Sequence, residues 1–323
     1  MIVIAKKKRQ RQSITHKIMS RVIAVQNEKT PHDLSRKNYI RNTKRFIKFC
    51  REKYDCKDFE SCRDHVQDYS DYLQEQGYTP STIHTYLSSV CSTYDIPLAE
   101  IDKPIRHIGD FTRGRSDKLN HTNQDFNNPE YKRIVEFQKI VGIRRNELAR
   151  LTGDCLVYDE SCYPCVLVKS GKGNKQQLQR LNKPEDLEFI KPYFEGKAPD
   201  EYIFTDKEIN NDLNFHKLRA DSAKDCYDIQ LDLLMNDPHH KEKMFKEIEA
   251  RWNLYNIDKR TGKPKPFNRD KYEGWYITRG SVRQTALERN RPIKYNRLCV
   301  LYVSLFHTSH YRTNVTVENY LTI

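Results

Sequence analysis

The feature that most constrains the fold is a stretch poor in apolar side chains near the middle of the chain, residues 102–125. It includes the run Arg113-Gly114-Arg115-Ser116-Asp117, which is typical of a linker rather than of a packed element. The 323 residues suffice for two domains, each with its own hydrophobic core. We therefore predict a first domain over residues 33–101, a linker over 102–125 and a second domain over 126–323.

The first domain shows the apolar periodicity of helices. Apolar residues recur at the spacing of one helix face in two successive stretches: Tyr39, Ile40, Phe46, Ile47, Cys50 and Tyr54, and then Val66, Tyr69 and Leu73. Gly77 is placed to end the second helix. Thr79 as N-cap and Pro80 in the first turn then begin a third helix. The sequence predicts a compact helical bundle.

The second domain has a mixed pattern. Phe137, Ile140 and Val141 predict a helix that is interrupted at Gly142. Val166 and Val168 alternate with Leu167 and Lys169 before a Gly-Lys-Gly turn, which predicts a β-hairpin with Lys172 at its tip. A short apolar run follows at residues 202–205, before another predicted helix. We therefore expect an α+β domain, mainly helical, with a small antiparallel sheet.

The net charge indicates a polyanionic partner. The chain has 57 Lys and Arg against 44 Asp and Glu, a formal charge of +13. Charge of this size supplies sequence-independent affinity for phosphates, so nucleic acid is the first candidate. Residues 1–32 are predicted to form a basic arm, either a solvated tail or a clamp on DNA. Its candidate DNA contacts are Lys6, Lys7, Lys8, Arg9 and Arg11.

Two further places are candidates for contact with a DNA backbone. The polar face of the third helix carries small hydroxyl groups and a histidine, which suit a close approach to phosphates; these are Ser81, Thr82, His84 and Thr85. The linker adds Arg113 and Arg115. An ordinary polar helix face and an ordinary surface loop are the alternatives.

An arginine motif follows the helix that is interrupted at Gly142. Its sequence is Gly142-Ile143-Arg144-Arg145-Asn146-Glu147-Leu148. The planar fork of an arginine can hold two oxygens of one phosphate, which a lysine cannot do. Glu147 lies three residues after Arg144, so it can orient the guanidinium from the same helix face. Arg145 is the alternative candidate.

Further basic residues and a tyrosine follow in order along the chain. Lys172 occupies the Gly-Lys-Gly turn, and no Walker phosphate-binding loop is present. His216 and Arg219 are three residues apart, which predicts one helical face directed at one phosphate. His310 comes next, and Tyr320 is a possible nucleophile near the C-terminus.

This order of motifs resembles that of the tyrosine recombinase (phage integrase) family. The resemblance implies a helical core-binding (SAM-like) domain followed by a DNA breaking-rejoining catalytic domain. It implies that Tyr320 attacks a DNA phosphate and forms a 3′-phosphotyrosyl intermediate. Lys172 would be the general acid, and Glu147 would support Arg144. The groups that would stabilise the transition state are Arg144, Arg219, His216 and His310.

The resemblance also implies partners and a setting. We expect a cytoplasmic, site-specific recombinase that integrates or excises a mobile element such as a phage. Double-stranded DNA would be its substrate, and a homo-tetramer on DNA its active assembly, with accessory DNA-bending proteins possible. No cofactor and no metal would be needed, because the arginines supply positive charge. The alternatives are a type IB topoisomerase and a DNA-binding protein whose active site has decayed.

The chain departs from the family pattern near its end. Ser309 replaces the usual glycine, and His310 lies ten residues before Tyr320, one more than expected, so His307 is a competing candidate. Arg219 and His310 are 91 positions apart, which predicts an insertion at about residues 224–290. Arg283 within it is a weak competitor for the role of Arg219, because no histidine lies three residues before it.

Cysteines and apolar runs add little to this picture. The nine cysteines include Cys162 and Cys165 as one CxxC pair, and the evenly spaced Cys50, Cys56 and Cys62. Such scattered cysteines are usually buried or free thiols in a reducing compartment, so we predict no metal site. No apolar run approaches the length of a membrane span.

Overall fold

A computed structural model describes residues 13–106, 126–171, 176–209, 213–258, 260–309 and 311–322. The chain forms two compact units, Met1–Phe111 and Thr112–Ile323. No helix of the described residues is both long and apolar enough to cross a membrane.

The described part of the N-terminal unit is a bundle of four α-helices with two short 3-10 helices. The α-helices are α1 (Ile14–Lys29), α2 (Asp33–Tyr54), α3 (Val66–Glu75) and α4 (Pro80–Tyr94), and the 3-10 helices are Glu60–His65, between α2 and α3, and Leu98–Glu100. The Thr79 hydroxyl accepts the backbone N–H of Thr82 and begins α4, as the sequence predicts. Gly77 has a positive φ of 72° just after α3. Each helix buries one apolar face in a shared core.

Helix α1 lies within the stretch predicted to be a basic arm. Ile18 and Val22 are buried four residues apart, and they form an apolar stripe that packs into the core of the bundle. Gln26 donates a hydrogen bond from its amide to the Thr93 hydroxyl at 2.9 Å. The helical unit therefore begins before residue 33, because this apolar stripe outweighs the basic composition. Residues 1–12, with all the arm's candidate DNA contacts, lie outside the described residues.

The C-terminal unit combines helices with two small sheets. Its helices are α5 (Lys132–Val141), α6 (Arg145–Leu148), α7 (Leu187–Ile190), α8 (Asp206–Ile209), α9 (Phe215–Asn236), α10 (His240–Tyr255), α11 (Gly280–Glu288), α12 (Arg297–Tyr302) and α13 (Thr313–Thr316). Helix α12 continues as a π-helical turn over Val303–His307, and α13 continues as another over Val317–Leu321.

The sheets are antiparallel. Strands β1 (Leu156–Tyr158), β2 (Pro164–Val168) and β3 (Gln177–Arg180) pair in chain order, and β4 (Trp275–Ile277) pairs with β5 (Lys294–Asn296). Strands β2 and β3 are the predicted hairpin, whose tip at residues 172–175 lies outside the described residues. A mainly helical chain with a small antiparallel sheet is therefore confirmed. The predicted family identity of each domain stays a prediction.

The stretch predicted as an insertion contributes to the core. Helix α10 buries Met244, Phe245 and Ile248 in the same cluster as residues of α9 and α12. Tyr272 and Trp252 pack there as well. Parts of residues 224–290 thus belong to the hydrophobic core, and the status of this stretch as an insertion relative to the family stays a prediction.

A buried ionic network joins the three-stranded sheet to α10. Asp159 accepts hydrogen bonds from Arg180 Nε at 2.6 Å and from Arg251 Nη2 at 2.9 Å, and all three side chains are almost fully buried. Glu160 and Glu247 add further carboxylates to the two arginines. Burial raises the pKa of Asp159, but the hydrogen bond and charge of Arg180 outweigh it and hold the pKa below its usual value.

We expect Asp159→Asn to lower the free energy of unfolding by about 3–5 kcal/mol at neutral pH, because two buried guanidinium groups lose a shared carboxylate. The folded-state pKa of Asp159 is lowered, so its contribution is present above the unfolded pKa and is lost as the pH falls through the folded value. Urea denaturation at several pH values should show the difference from wild type shrinking below about pH 4.

The matched control for this prediction is Asp154→Asn, which breaks an exposed pair with Lys169. An exposed ion pair contributes little, so this variant should unfold like wild type. Equal effects of the two variants would contradict a stabilising role of the buried network.

Candidate active site

The side chain at the centre of the candidate site is Arg219 of α9. It is fully buried, and its guanidinium bonds to four backbone or side-chain acceptors from other parts of the chain. Nη1 donates to the Gly142 carbonyl at 2.6 Å and is 3.4 Å from Gln179 Oε1. Nη2 donates to the Thr308 carbonyl at 2.8 Å. Arg219 therefore ties α9 to the end of α5, to β3 and to the turn after residue 307.

Tyr320 lies against the same guanidinium. Its hydroxyl is 3.4 Å from Arg219 Nε, and the guanidinium carbon is 5.4 Å from the centre of the phenol ring. Tyr320 belongs to the π-helical turn that ends the chain's last helix, and only 5% of it is exposed. Arg219 and Tyr320 are 101 positions apart in the sequence, and the structure brings them into contact.

Arg219 has no carboxylate partner among the described residues; its acceptors are carbonyl, amide and hydroxyl oxygens. A buried cation is costly unless it is paired, and neutral dipoles offset only part of its lost hydration. The electrostatic environment of Arg219 therefore favours an incoming anion, and a phosphate carries the charge and geometry that a guanidinium binds well.

His307, the competing histidine, is buried beside this arginine. Its Nε2 lies 3.0 Å from the Ser222 hydroxyl. Burial first, and then the charge of Arg219, lower the pKa of His307 to about 3. His307 is therefore neutral at physiological pH and adds no positive charge.

Gly142 supplies the space that these side chains occupy. Its φ of +60° is in the left-handed region, and it caps the C-terminus of α5. A Cβ atom there would lie 2.8 Å from both Cβ and Oγ of Ser222 and 3.0 Å from His307 Nε2. Glycine is therefore required by backbone conformation and by packing together.

The two adjacent arginines of the sequence motif differ in their contacts. Arg144 precedes α6, and its Nη1 bonds to Glu147 Oε1 at 2.6 Å. The buried Glu147 also accepts the backbone N–H of Arg144 at 3.0 Å, so it orients this arginine as the sequence predicted. Arg145 instead donates to the Leu213 carbonyl and stacks on the Phe215 ring at the start of α9. Arg145 is thus held against α9, whereas Arg144 is held by Glu147.

The remaining predicted catalytic residues are placed differently from one another. His216 is exposed on the first turn of α9, whereas Arg219 is fully buried. A separation of three residues leaves a difference of about 60° around a helix, so one side chain can point inward and the other to solvent. Arg283 is exposed on α11. Lys172 and His310 lie outside the described residues.

A cleft of about 690 Å³ lies among the described residues of the C-terminal unit. It is lined by Gln176 and Gln177, where β3 begins, and by Ser309 and Tyr311. Basic side chains also line it, namely Arg251, Arg260 and Lys265. Arg251 is already paired with Asp159, and the carboxylate of Asp258 also lines the cleft, so its positive charge comes from Arg260 and Lys265 and is partly offset.

In the N-terminal unit, the predicted polar face of α4 is partly accessible. Thr85 is exposed, and Ser81, Thr82 and His84 are half-buried. Burial, followed by the charges of Arg106 and Lys103, lowers the pKa of His84, which indicates that cations lie near this face. Arg113 and Arg115 of the predicted linker lie outside the described residues.

Sequence reasoning missed a basic stripe on α2. Arg41, Lys44, Arg45 and Lys48 are exposed at the spacing of one helical face. The Arg45 guanidinium lies 5.1 Å from the ring centre of Tyr86, so the stripe adjoins α4. Counting basic residues at helical spacing, as was done for apolar residues, would have found it.

Comparisons with known proteins add little. No family model and no curated protein matches the sequence. Among solved structures, the crystal structure of XerA recombinase is 16% identical over 68% of this chain and 85% of that chain, with a TM-score of 0.23. A TM-score this low carries no argument about fold or function, so the family resemblance rests on the sequence motifs.

We expect Gly142→Ala to lower the free energy of unfolding by about 2–4 kcal/mol, because steric crowding adds to the cost of the positive φ. Gly196→Ala is the matched control, since Gly196 has a φ of +73° with open space around its Cβ position. This control should cost about 1 kcal/mol. Denaturant titration measures both, and equal losses would contradict the close approach of Ser222 and His307.

Proposed function

We propose that this protein is a site-specific DNA recombinase of the tyrosine type, acting in integration or excision of a mobile element. The observation that carries the proposal is the contact between the Tyr320 hydroxyl and a buried Arg219 that lacks a carboxylate partner among the described residues. A nucleophile beside an unneutralised guanidinium suits attack on a phosphate. The ordered sequence motifs support the same reaction.

In the proposed reaction, a bond forms between Tyr320 Oη and the DNA phosphorus, and the bond from phosphorus to the 5′ oxygen breaks. The products are a 3′-phosphotyrosyl enzyme and a free 5′-hydroxyl. The phenol gives up its proton, and the leaving oxygen receives one from Lys172, the proposed general acid. Because the covalent intermediate keeps the phosphoester linkage, a second hydroxyl can reverse the step without ATP.

The cationic side chains have different proposed roles. Arg219 and Arg144 stabilise charge on the pentacoordinate phosphate, and Glu147 fixes the orientation of Arg144. His216 and His310 add hydrogen bonds to the same phosphate. His307 stays neutral and positions the turn that follows it, where the Thr308 carbonyl holds Arg219.

Access to Tyr320 requires a rearrangement. With its side chain almost fully buried, the hydroxyl cannot meet a duplex phosphate until the last helical turn moves. We propose that binding of double-stranded DNA, and assembly of a homo-tetramer on it with or without DNA-bending accessory proteins, accompany that movement. The basic stripe of α2 and the polar face of α4 would contact the backbone of the duplex.

Tyr320→Phe should abolish covalent attachment to a nicked suicide duplex that carries the DNA flanking the protein's own gene. Removal of one oxygen eliminates the nucleophile and leaves the ring packing intact. The adduct is detected as a shifted band after denaturing electrophoresis. Tyr311→Phe, in the same C-terminal segment, is the control and should retain the adduct. An adduct that persists in Tyr320→Phe and disappears in Tyr311→Phe would assign the nucleophile to Tyr311.

Arg144→Ala should reduce the cleavage rate by two orders of magnitude or more while changing duplex affinity by a few-fold at most, because it acts in the transition state. The opposite pattern is expected for Arg41→Ala combined with Lys44→Ala on α2. This double variant should weaken binding and reduce its salt dependence, with normal cleavage at saturating DNA. Single-turnover cleavage and titrations at several salt concentrations measure the two effects, and parallel losses in both variants would contradict the assigned roles.

A further inference from the structure

Three buried cysteines of the N-terminal unit come together away from the candidate active site. The Sγ atoms of Cys50, Cys56 and Cys62 all lie within 4.8 Å of one another. Cys50 is in the last turn of α2, which ends at Asp55 in the left-handed conformation. Cys56 follows directly, and Cys62 lies in the 3-10 helix after it. Within the described residues, this is the one cluster of at least three metal-ligating side chains at such distances.

A fourth polar group lies next to these sulfurs. The Tyr94 hydroxyl has no hydrogen-bond partner among the described residues, although only 5% of this residue is exposed. Its ring stacks at 4.4 Å on Phe59, which lies between Cys56 and Cys62 in the chain. Burial first, and then the nearby Cys62 thiol, raise the pKa of Tyr94. A buried hydroxyl without a partner is costly, so a ligand beside it would satisfy an unmet requirement.

The present contacts of the three thiols are weak. Cys50, Cys56 and Cys62 approach the backbone carbonyls of residues 62, 61 and 58 at 3.9, 3.5 and 3.4 Å respectively. Thiols are poor hydrogen-bond donors, so these contacts are readily exchanged for stronger bonds. Thiolate sulfur is a preferred ligand of zinc and of other soft metal ions.

We propose that Cys50, Cys56 and Cys62 bind one thiophilic metal ion, with zinc as the natural candidate, and that its fourth coordination position faces Tyr94. Zinc–sulfur bonds of about 2.3 Å place tetrahedral sulfurs roughly 3.8 Å apart, so the sulfurs need to approach by about 1 Å at most. Side-chain rotation within the loop can provide this. The cluster predicted from sequence to be buried thiols thus gains a specific ligand.

The charge balance of this binding step can be stated. Three S–H bonds lose their protons to solvent and three zinc–sulfur bonds form, so a Zn²⁺ complex carries one net negative charge. The Arg51 guanidinium donates to the Cys56 carbonyl at 2.6 Å and lies close enough to offset that charge. The ion would fasten the end of α2 to the 3-10 helix, where the backbone bonds of Cys56 and Cys62 are long, at 3.4 and 3.3 Å.

The test uses the full chain, purified, treated with a chelator and then titrated with Co²⁺ as a spectroscopic substitute for Zn²⁺. Wild type should bind one equivalent and show the intense thiolate-to-cobalt charge-transfer band, which Zn²⁺ then displaces. Cys50→Ser, Cys56→Ser and Cys62→Ser should each lose most of this band. Cys91→Ser, a buried cysteine of α4 in the same unit, and Cys162→Ser, from the CxxC pair, are controls that should retain it.

Thermal melting gives a second test that does not depend on whether the cysteine variants fold. Zn²⁺ should raise the melting temperature of chelator-treated wild type and of Cys91→Ser by several degrees, because the ion binds the folded state. A wild-type protein with no charge-transfer band and no zinc-dependent change in melting temperature would overturn the proposal. Loss of the band in Cys162→Ser, with retention in folded Cys62→Ser, would also overturn it by moving the metal to the CxxC pair.

Discussion

The hydrogen bonding of one buried guanidinium, that of Arg219, sets the arrangement of the C-terminal unit around the candidate site. Its partners are the Gly142 carbonyl, the Thr308 carbonyl and the Tyr320 hydroxyl, which come from three separate parts of the chain. A buried carbonyl or cation without a hydrogen-bond partner costs free energy. The hydrogen bonds of Arg219 to these groups therefore hold the three parts of the chain together. The position of Tyr320 is a consequence of this arrangement.

The buried arginines described in this unit differ in whether a carboxylate neutralises their charge. Arg180 and Arg251 share the carboxylate of Asp159, so their charge is neutralised inside the fold and their role is structural. Arg219 is surrounded by neutral dipoles, and the nearby His307 is held neutral by burial and by the arginine itself. The contrast explains why Arg219, and not the other buried arginines, is suited to an external anion.

The N-terminal unit shows how composition can conceal structure. Basic residues dominate the start of the chain, yet Ile18 and Val22 make α1 part of the core. Conversely, α2 buries one apolar face and exposes a line of cations on another. Cys50, Cys56 and Cys62 look scattered in sequence, but a left-handed residue at Asp55 and the following 3-10 helix turn the chain back on itself. Local geometry therefore decides what these residues can bind.

The sequence alone determined the local features: the Thr79 cap, the helix end at Gly142, the β2–β3 hairpin and the pairing of Arg144 with Glu147. Each depends on residues a few positions apart, where spacing and backbone preference are sufficient. Only the tertiary structure decided which of Arg144 and Arg145 packs on α9, that His307 is neutral, and that Arg219 is buried while His216 is exposed. These outcomes depend on contacts across 68 to 101 residues and on burial, which no local periodicity encodes.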